Sequence, residues 1–153
     1  MGLNIDLSSP FFLFIFLTMR KIEHIGIAVA DIDKGNKLYT QLLGSLPYKQ
    51  EIVEAQGVIT SFFRAGPNKI ELIAPTDESS PVHKHIQKRG EGMHHIAYDV
   101  ANIKEEMSRL KDEGFKLLNE EPQIGADNKL ICFVHPKSAN GVLVELCQER
   151  TDY

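Results

Sequence analysis

The stretch that decides the fold reads Lys21-Ile22-Glu23-His24-Ile25-Gly26-Ile27-Ala28-Val29-Ala30. It alternates as a β-strand does. Ile22, His24, Gly26 and Ala28 share one face, and Ile25, Ile27 and Val29 share the other. At an interval of 71 residues, Met93-His94-His95-Ile96-Ala97-Tyr98-Asp99-Val100 echoes it, with His95 in the place of His24. The flanks match as well: Ala30-Asp31-Ile32 falls opposite Ala101-Asn102-Ile103. A helix follows each strand. Asp31 or Asp33 caps the first, Leu38, Leu42 and Leu43 give it an apolar side, and Gly44 stops it. The second carries Ile103, Met107 and Leu110 and stops at Gly114.

Three strands are expected after each helix. In the first half these are 46–54, 58–65 and 69–74, with turns at Gly57 and at Gly66-Pro67-Asn68. In the second half they are 115–119, 129–134 and 142–148, with a loop from Pro122 to Asn128. The final strands correspond, Ile70-Glu71-Leu72 against Val144-Glu145-Leu146. Their interval is slightly longer, as a longer turn from His135 to Gly141 requires. Ser80-Pro81 starts, and Gly90 stops, a short connecting helix over 81–89. The fold class expected is α+β. Two βαβββ modules, 21–75 and 93–148, form a curved mixed sheet around a metal site within a single domain, 19–153.

Composition agrees with this. A chain of 153 residues suits one domain, and 42% hydrophobic with 25% charged residues excludes disorder, collagen and coiled coil as the main architecture. A formal net charge of −4 offers no global attraction to a nucleic acid backbone, so no nucleic-acid partner is expected. Cys132 and Cys147 sit inside apolar runs and read as small buried hydrophobes, which suits a reducing, cytoplasmic setting. The apolar run Phe11 to Leu17 is too short to cross a bilayer as a helix and lacks the positive n-region of a secretory signal. Residues 1–18 therefore read as an extension outside the fold, with Met19 its natural beginning. The competing reading is an added strand or helix that packs on the domain or on a partner. No membrane association is expected.

The repeat also points to chemistry. Each half places a histidine on its first strand and a glutamate on its last. The set His24, Glu71, His95 and Glu145 lies in strongly apolar company. A lone histidine there would usually be a satisfied core residue, and a lone glutamate the exposed half of an alternating strand. Duplication in the same strand order argues instead for a shared role. A carboxylate on an inner face is costly unless paired or bound to a cation. One divalent ion would satisfy two carboxylates and two imidazoles and keep positions open for substrate. Co, Mn, Ni and Zn all suit such ligands. His94 is expected to face away from His95, as a less favoured ligand within hydrogen-bonding reach of the site. His83, Lys84, His85, Lys88 and Arg89 read as a solvated basic face, or as the neighbourhood of a phosphate-bearing ligand.

Further stretches carry a family resemblance: Gln56-Gly57-Val58, Ile70-Glu71-Leu72-Ile73-Ala74-Pro75, Lys88-Arg89-Gly90-Glu91-Gly92-Met93-His94-His95-Ile96-Ala97, and His135-Pro136-Lys137-Ser138 with Gly141-Val142-Leu143-Val144-Glu145-Leu146. With the first strand they span essentially all of 21–148. The chain resembles the vicinal oxygen chelate superfamily, which contains glyoxalase I, and within it the methylmalonyl-CoA epimerases. The resemblance implies metal ligation at His24, Glu71, His95 and Glu145. It also implies epimerisation at C2 of an acyl-CoA substrate by removal and return of a proton. Some members carry a catalytic glutamate immediately before Gln-Gly-Val, where this chain has Ala55. The bases are therefore expected to be Glu145 and Glu71, or Glu54 if its strand bulges. The coenzyme A tail would lie near Lys137, Ser138 or the Lys88-Arg89 helix end. A homodimer is expected. A glyoxalase I and a ligand-binding module without enzymatic activity remain the alternatives.

Overall fold

Residues 19–151 are described by a computed structural model, so the readings on residues 1–18 lie outside the described residues. β1 (Met19–Ala28) is the first described element, and Asp31 ends the link to α1 (Ile32–Leu43) by accepting a hydrogen bond from the Lys34 amide at 3.0 Å. Gly44, at φ 68°, closes the helix in the left-handed region. Leu38 and Leu42 do not form its packed side: they are 59% and 69% exposed. Ile32, Tyr39 and Leu43 pack on the core instead. The reason is Gly35, where helix and sheet approach closely. A Cβ there would meet Val29 and Leu72 side chains at 3.1–3.3 Å, so the buried face centres on the glycine and turns those leucines aside.

β2 (Lys49–Val53), a single 3-10 turn at Glu54–Gln56, β3 (Val58–Ala65) and β4 (Asn68–Pro75) complete the first half. The connecting helix α2 (Pro81–Arg89) is capped by the Ser80 hydroxyl, which accepts from the Val82 amide at 3.2 Å. β5 (Gly92–Val100) and α3 (Ile103–Asp112) follow, and Ile103, Met107 and Leu110 are buried against Val100, Cys132 and Leu146 as the periodicity predicts. Both cysteines are free and buried.

The first of the three strands expected after the helix of the second half departs from expectation. Residues 115–119 contribute an isolated bridge, Leu117 with Val134, rather than a strand. Asn119 is the cause: its side chain, not its backbone, accepts from the Phe133 amide at 3.1 Å, and the ladder stops there. The edge strand is β6 (Gln123–Ile124), inside the expected loop, followed by β7 (Lys129–Val134) and β8 (Val144–Glu149).

Among the described residues, eight strands form one sheet in the order β2-β3-β4-β1-β5-β8-β7-β6. β1 runs parallel to β4, and β5 parallel to β8, while β1 and β5 meet antiparallel at the centre. The two βαβββ halves are thus mirrored about the β1–β5 seam, and the mixed sheet curls. Among the described residues, no helix is long and apolar enough to cross a membrane.

Candidate metal centre

Two rows of paired residues cross the seam and build the site. Gly26 on β1 pairs with Glu71 on β4 to one side and His95 on β5 to the other. Ala97 on β5 pairs with His24 on β1 and Glu145 on β8. Each row therefore has a small residue at its middle, and the imidazoles lean over these gaps. A Cβ on Gly26 would lie only 2.1–2.7 Å from His95 ring atoms.

The structure brings all four residues together. The two Nε2 atoms are 2.9 Å apart. His24 Nε2 lies 3.2 Å from Glu71 Oε2 and 3.7 Å from Glu145 Oε2. His95 Nε2 lies 3.3 Å and 3.0 Å from the same two oxygens. All four residues are buried. Phe62, opposite Glu71, turns its ring edge-on to His24. Phe133, opposite Glu145, does the same to His95, so the apolar walls repeat too. The donor set fits a divalent ion. Ligand bonds of about 2.0–2.2 Å place neighbouring donors about 3.3–3.6 Å apart in a tetrahedral set and about 2.8–3.1 Å apart in an octahedral one, close to the nitrogen–nitrogen and nitrogen–oxygen separations found here.

Two neighbours of the site depart from strand alternation. Glu23 is buried and hydrogen-bonded to His24 Nδ1, and it pairs with Lys69 Nζ at 2.5 Å. His94 does not face away: its Nδ1 lies 3.0 Å from His95 Nδ1, and it lines the cavity. One cause explains both. The β1–β5 register slips between Ile22 and His24, which skips Glu23, and between Gly26 and Ile27, which skips His94. Each skipped residue is a β-bulge immediately before a site histidine, and a bulge re-aims its side chain.

The cavity, about 340 Å³, is lined besides by Ala55, Gln56, Ile73, Asn119, Asp127 and Lys129. Glu54 is exposed in the 3-10 turn and faces a different groove, so it is not placed to act as a base here. Lys88, Lys137 and Ser138 do not line the cavity, and Arg89 lines a neighbouring groove with His85 and His94.

Burial opposes ionisation of every group at the centre, and opposite charges overcome it. Burial lowers His95, but Glu145 and Glu71 raise it to about 9. Against the same burial penalty, Glu71, Glu145 and Glu23 hold His24 well above the usual imidazole range. Glu71 and Glu145 stay below the usual carboxylate value despite burial, chiefly through His24 and His95 respectively. His94 is pushed down to about 3, first by burial and then by His95 and His85, so it stays neutral.

These shifts set a pH dependence for the protein freed of metal by chelation. A raised histidine stabilises fully below its unfolded value of 6.5 and loses that contribution as pH climbs through about 9. Lowered carboxylates stabilise above their unfolded value of 4.5 and lose it on acidification. Thermal melts of chelated protein should therefore show a falling midpoint from pH 6.5 to 9.5, with His95 accounting for roughly 3 kcal/mol. A flat midpoint over that range would mean that the imidazoles are neutral in the cluster.

Comparison with known proteins places this site in a family. The model of the Glyoxalase/Bleomycin resistance protein/Dioxygenase superfamily matches residues 23–133. The chain is 42% identical over 134 residues to the Bacillus subtilis protein YqjC, covering 88% of this chain and 96% of that one. It is 38% identical over 129 residues to the human mitochondrial methylmalonyl-CoA epimerase, covering 84% of this chain and 73% of the relative. A Streptomyces coelicolor methylmalonyl-CoA epimerase variant, solved in complex with 2-nitronate-propionyl-CoA, superposes with a TM-score of 0.84 at 34% identity, over 88% of this chain and 97% of that one. The chain belongs to the glyoxalase/bleomycin resistance protein/dioxygenase superfamily, as a member close to the methylmalonyl-CoA epimerases.

Proposed function

We propose that the protein is a divalent-metal-dependent epimerase that interconverts (2R)- and (2S)-methylmalonyl-CoA. The observation that carries the reading is that each imidazole Nε2 lies 2.9–3.7 Å from the other and from one oxygen of each carboxylate, with His24, His95 and Glu145 closing to a common ligand group at the wall of a substrate-sized cavity. Likeness to epimerases, one of them holding an acyl-CoA analogue, supports the substrate class. His24, Glu71, His95 and Glu145 would hold the ion. The bound ion supplies a Lewis acid that stabilises negative charge developing on the thioester oxygen.

The chain's own residues handle the proton. Epimerisation needs a proton removed from one face of C2 and one returned to the other, so two acid–base groups on opposite sides are required. Glu71 and Glu145 come from β4 and β8, which flank the histidine-bearing strands from opposite sides. Glu145 takes the C2 proton from one face; Glu71, protonated from solvent before the step, delivers its proton to the opposite face, and Glu145 then releases its proton to solvent. Cys147 donates to Glu145 Oε1 at 3.1 Å and orients that carboxylate. Phe62, Phe133, Ile73 and Val58 line the cavity with apolar surface and keep bulk water from the reacting carbon.

The test is isotope uptake. Methylmalonyl-CoA of one configuration, incubated with enzyme in deuterated water, should gain deuterium at C2 and lose optical purity when Co²⁺ or Mn²⁺ is present, and do neither after chelation. A parallel assay with methylglyoxal and a thiol cofactor checks the glyoxalase alternative. Absence of exchange with every divalent ion tried, under conditions where the ion binds, would reject the epimerase reading.

A further inference from the structure

We infer that Glu23 is a positioning residue through which a chain of charges from Asp127 holds His24 with its Nε2 toward the cavity; the inference rests on the metal reading above. Glu23 is 4% exposed, and its carboxylate touches His24 Nδ1. A carboxylate on Nδ1 fixes the tautomer that carries hydrogen there and leaves the Nε2 lone pair for a ligand bond. The other Glu23 oxygen accepts from Lys69 Nζ at 2.5 Å, and the same ammonium donates to Asp127 Oδ2 at 2.8 Å. Asp127 is held in turn by Lys49 Nζ at 3.1 Å, and its amide donates to the Glu51 carboxylate.

The direction of this chain matters. Asp127 belongs to the loop between β6 and β7 in the second half, where Ala126 and Asp127 form cavity wall. Lys49, Glu51, Lys69 and Glu23 belong to the first half. The wall contributed by one half is thereby tied to the imidazole contributed by the other. The loop reaches Lys49 and Lys69 through a left-handed turn, with Asp127 at φ 53° and Asn128 at φ 58°, a conformation that these two residue types tolerate.

Two observations set the arrangement apart from ordinary packing. The repeat does not duplicate it: His95 Nδ1 faces His94, not a carboxylate. Stability alone gives little reason to place a glutamate–lysine pair in the interior, since desolvation offsets much of the attraction. The bulge at Glu23 is what turns it inward, so the backbone itself is shaped to deliver this contact.

Co²⁺ affinity, read by competition with a chromogenic chelator, tests the relay without reference to turnover. Glu23→Gln should weaken binding about 10–100-fold, and Asp127→Asn about 3–10-fold. The double variant should bind no more weakly than Glu23→Gln alone, because Asp127 acts only through Glu23. Lys69→Met cuts the chain at the direct partner of Glu23 while keeping the Glu23 side chain, and should weaken binding at least as much as Asp127→Asn, which keeps the test open even where Glu23→Gln folds poorly. In the zinc-loaded protein, nitrogen-15 spectra should show the His24 Nδ1 proton shifted downfield by its carboxylate, and Glu23→Gln should remove that shift. Equal affinities in wild type and all variants, or fully additive losses in the double variant, overturn the relay and leave the metal reading standing. No Co²⁺ binding by wild type overturns both.

Discussion

Glu145→Gln should slow deuterium uptake at C2 by about a thousandfold at saturating metal, because a positioned general base accounts for about 10²–10⁴ of rate. The substitution preserves size, and the amide oxygen can still accept from the Cys147 thiol that now lies 3.1 Å away. What it removes is the negative charge facing His95 at 3.0 Å and the ability to take a proton. Metal affinity falls as well, so rates must be compared at saturation. Glu71→Gln offers a sharper contrast. With Glu145 intact, the C2 proton still leaves and returns on one face, so exchange should continue while inversion drops. A Glu145→Gln enzyme that exchanges within a few-fold of wild type would remove Glu145 from the role of base. A Glu71→Gln enzyme that inverts as fast as it exchanges would remove Glu71 from the return step.

The second large effect is expected at a residue with no functional group. Gly26→Ala should lower Co²⁺ affinity by about 100-fold or more, since the new methyl would occupy the space of a ligand ring. Its Cβ would fall 2.1 Å from His95 Cε1 and 2.3 Å from Nδ1, well inside contact distance. The ring has little freedom to yield. Its Nε2 is held by Glu145 and Glu71, its Nδ1 lies against His94, and Phe133 stands edge-on at 5.9 Å. Overpacking of this kind also costs about 1–3 kcal/mol of stability. Chelator competition together with a thermal melt measures both quantities. Affinity within threefold of wild type would show that His95 is not held over Gly26.

The core of this site was legible because the fold repeats. His24 and His95 are set by strand alternation, Glu71 and Glu145 by equivalent final strands, and their convergence follows from the antiparallel seam between β1 and β5. Glu23 and His94 escaped the same reading for a specific reason. Alternation assigns faces only while the ladder is continuous, and both residues are skipped by register shifts that leave no local mark in the sequence. A polar residue directly before each site histidine, Glu23 before His24 and His94 before His95, with Lys69 in register with His24, is the trace that the sequence carries. The inward face of α1 was hidden similarly, since Gly35 offers no side chain to count in a hydrophobic pattern yet sets the closest approach to the sheet. Residues 115–119 have strand character, and Asn119 cancels it with a side-chain hydrogen bond. Ala55 lines the cavity and, with no ionisable group, supplies no base there.

Anomalous scattering at the cobalt edge, from crystals grown with Co²⁺, examines the shared ion itself. One strong peak is expected between the β1–β5 seam and the cavity, about 2.0–2.2 Å from Nε2 of His24, Nε2 of His95 and one oxygen each of Glu71 and Glu145. A peak elsewhere, with these four side chains still paired only to one another, would contradict the metal centre and the chemistry built on it.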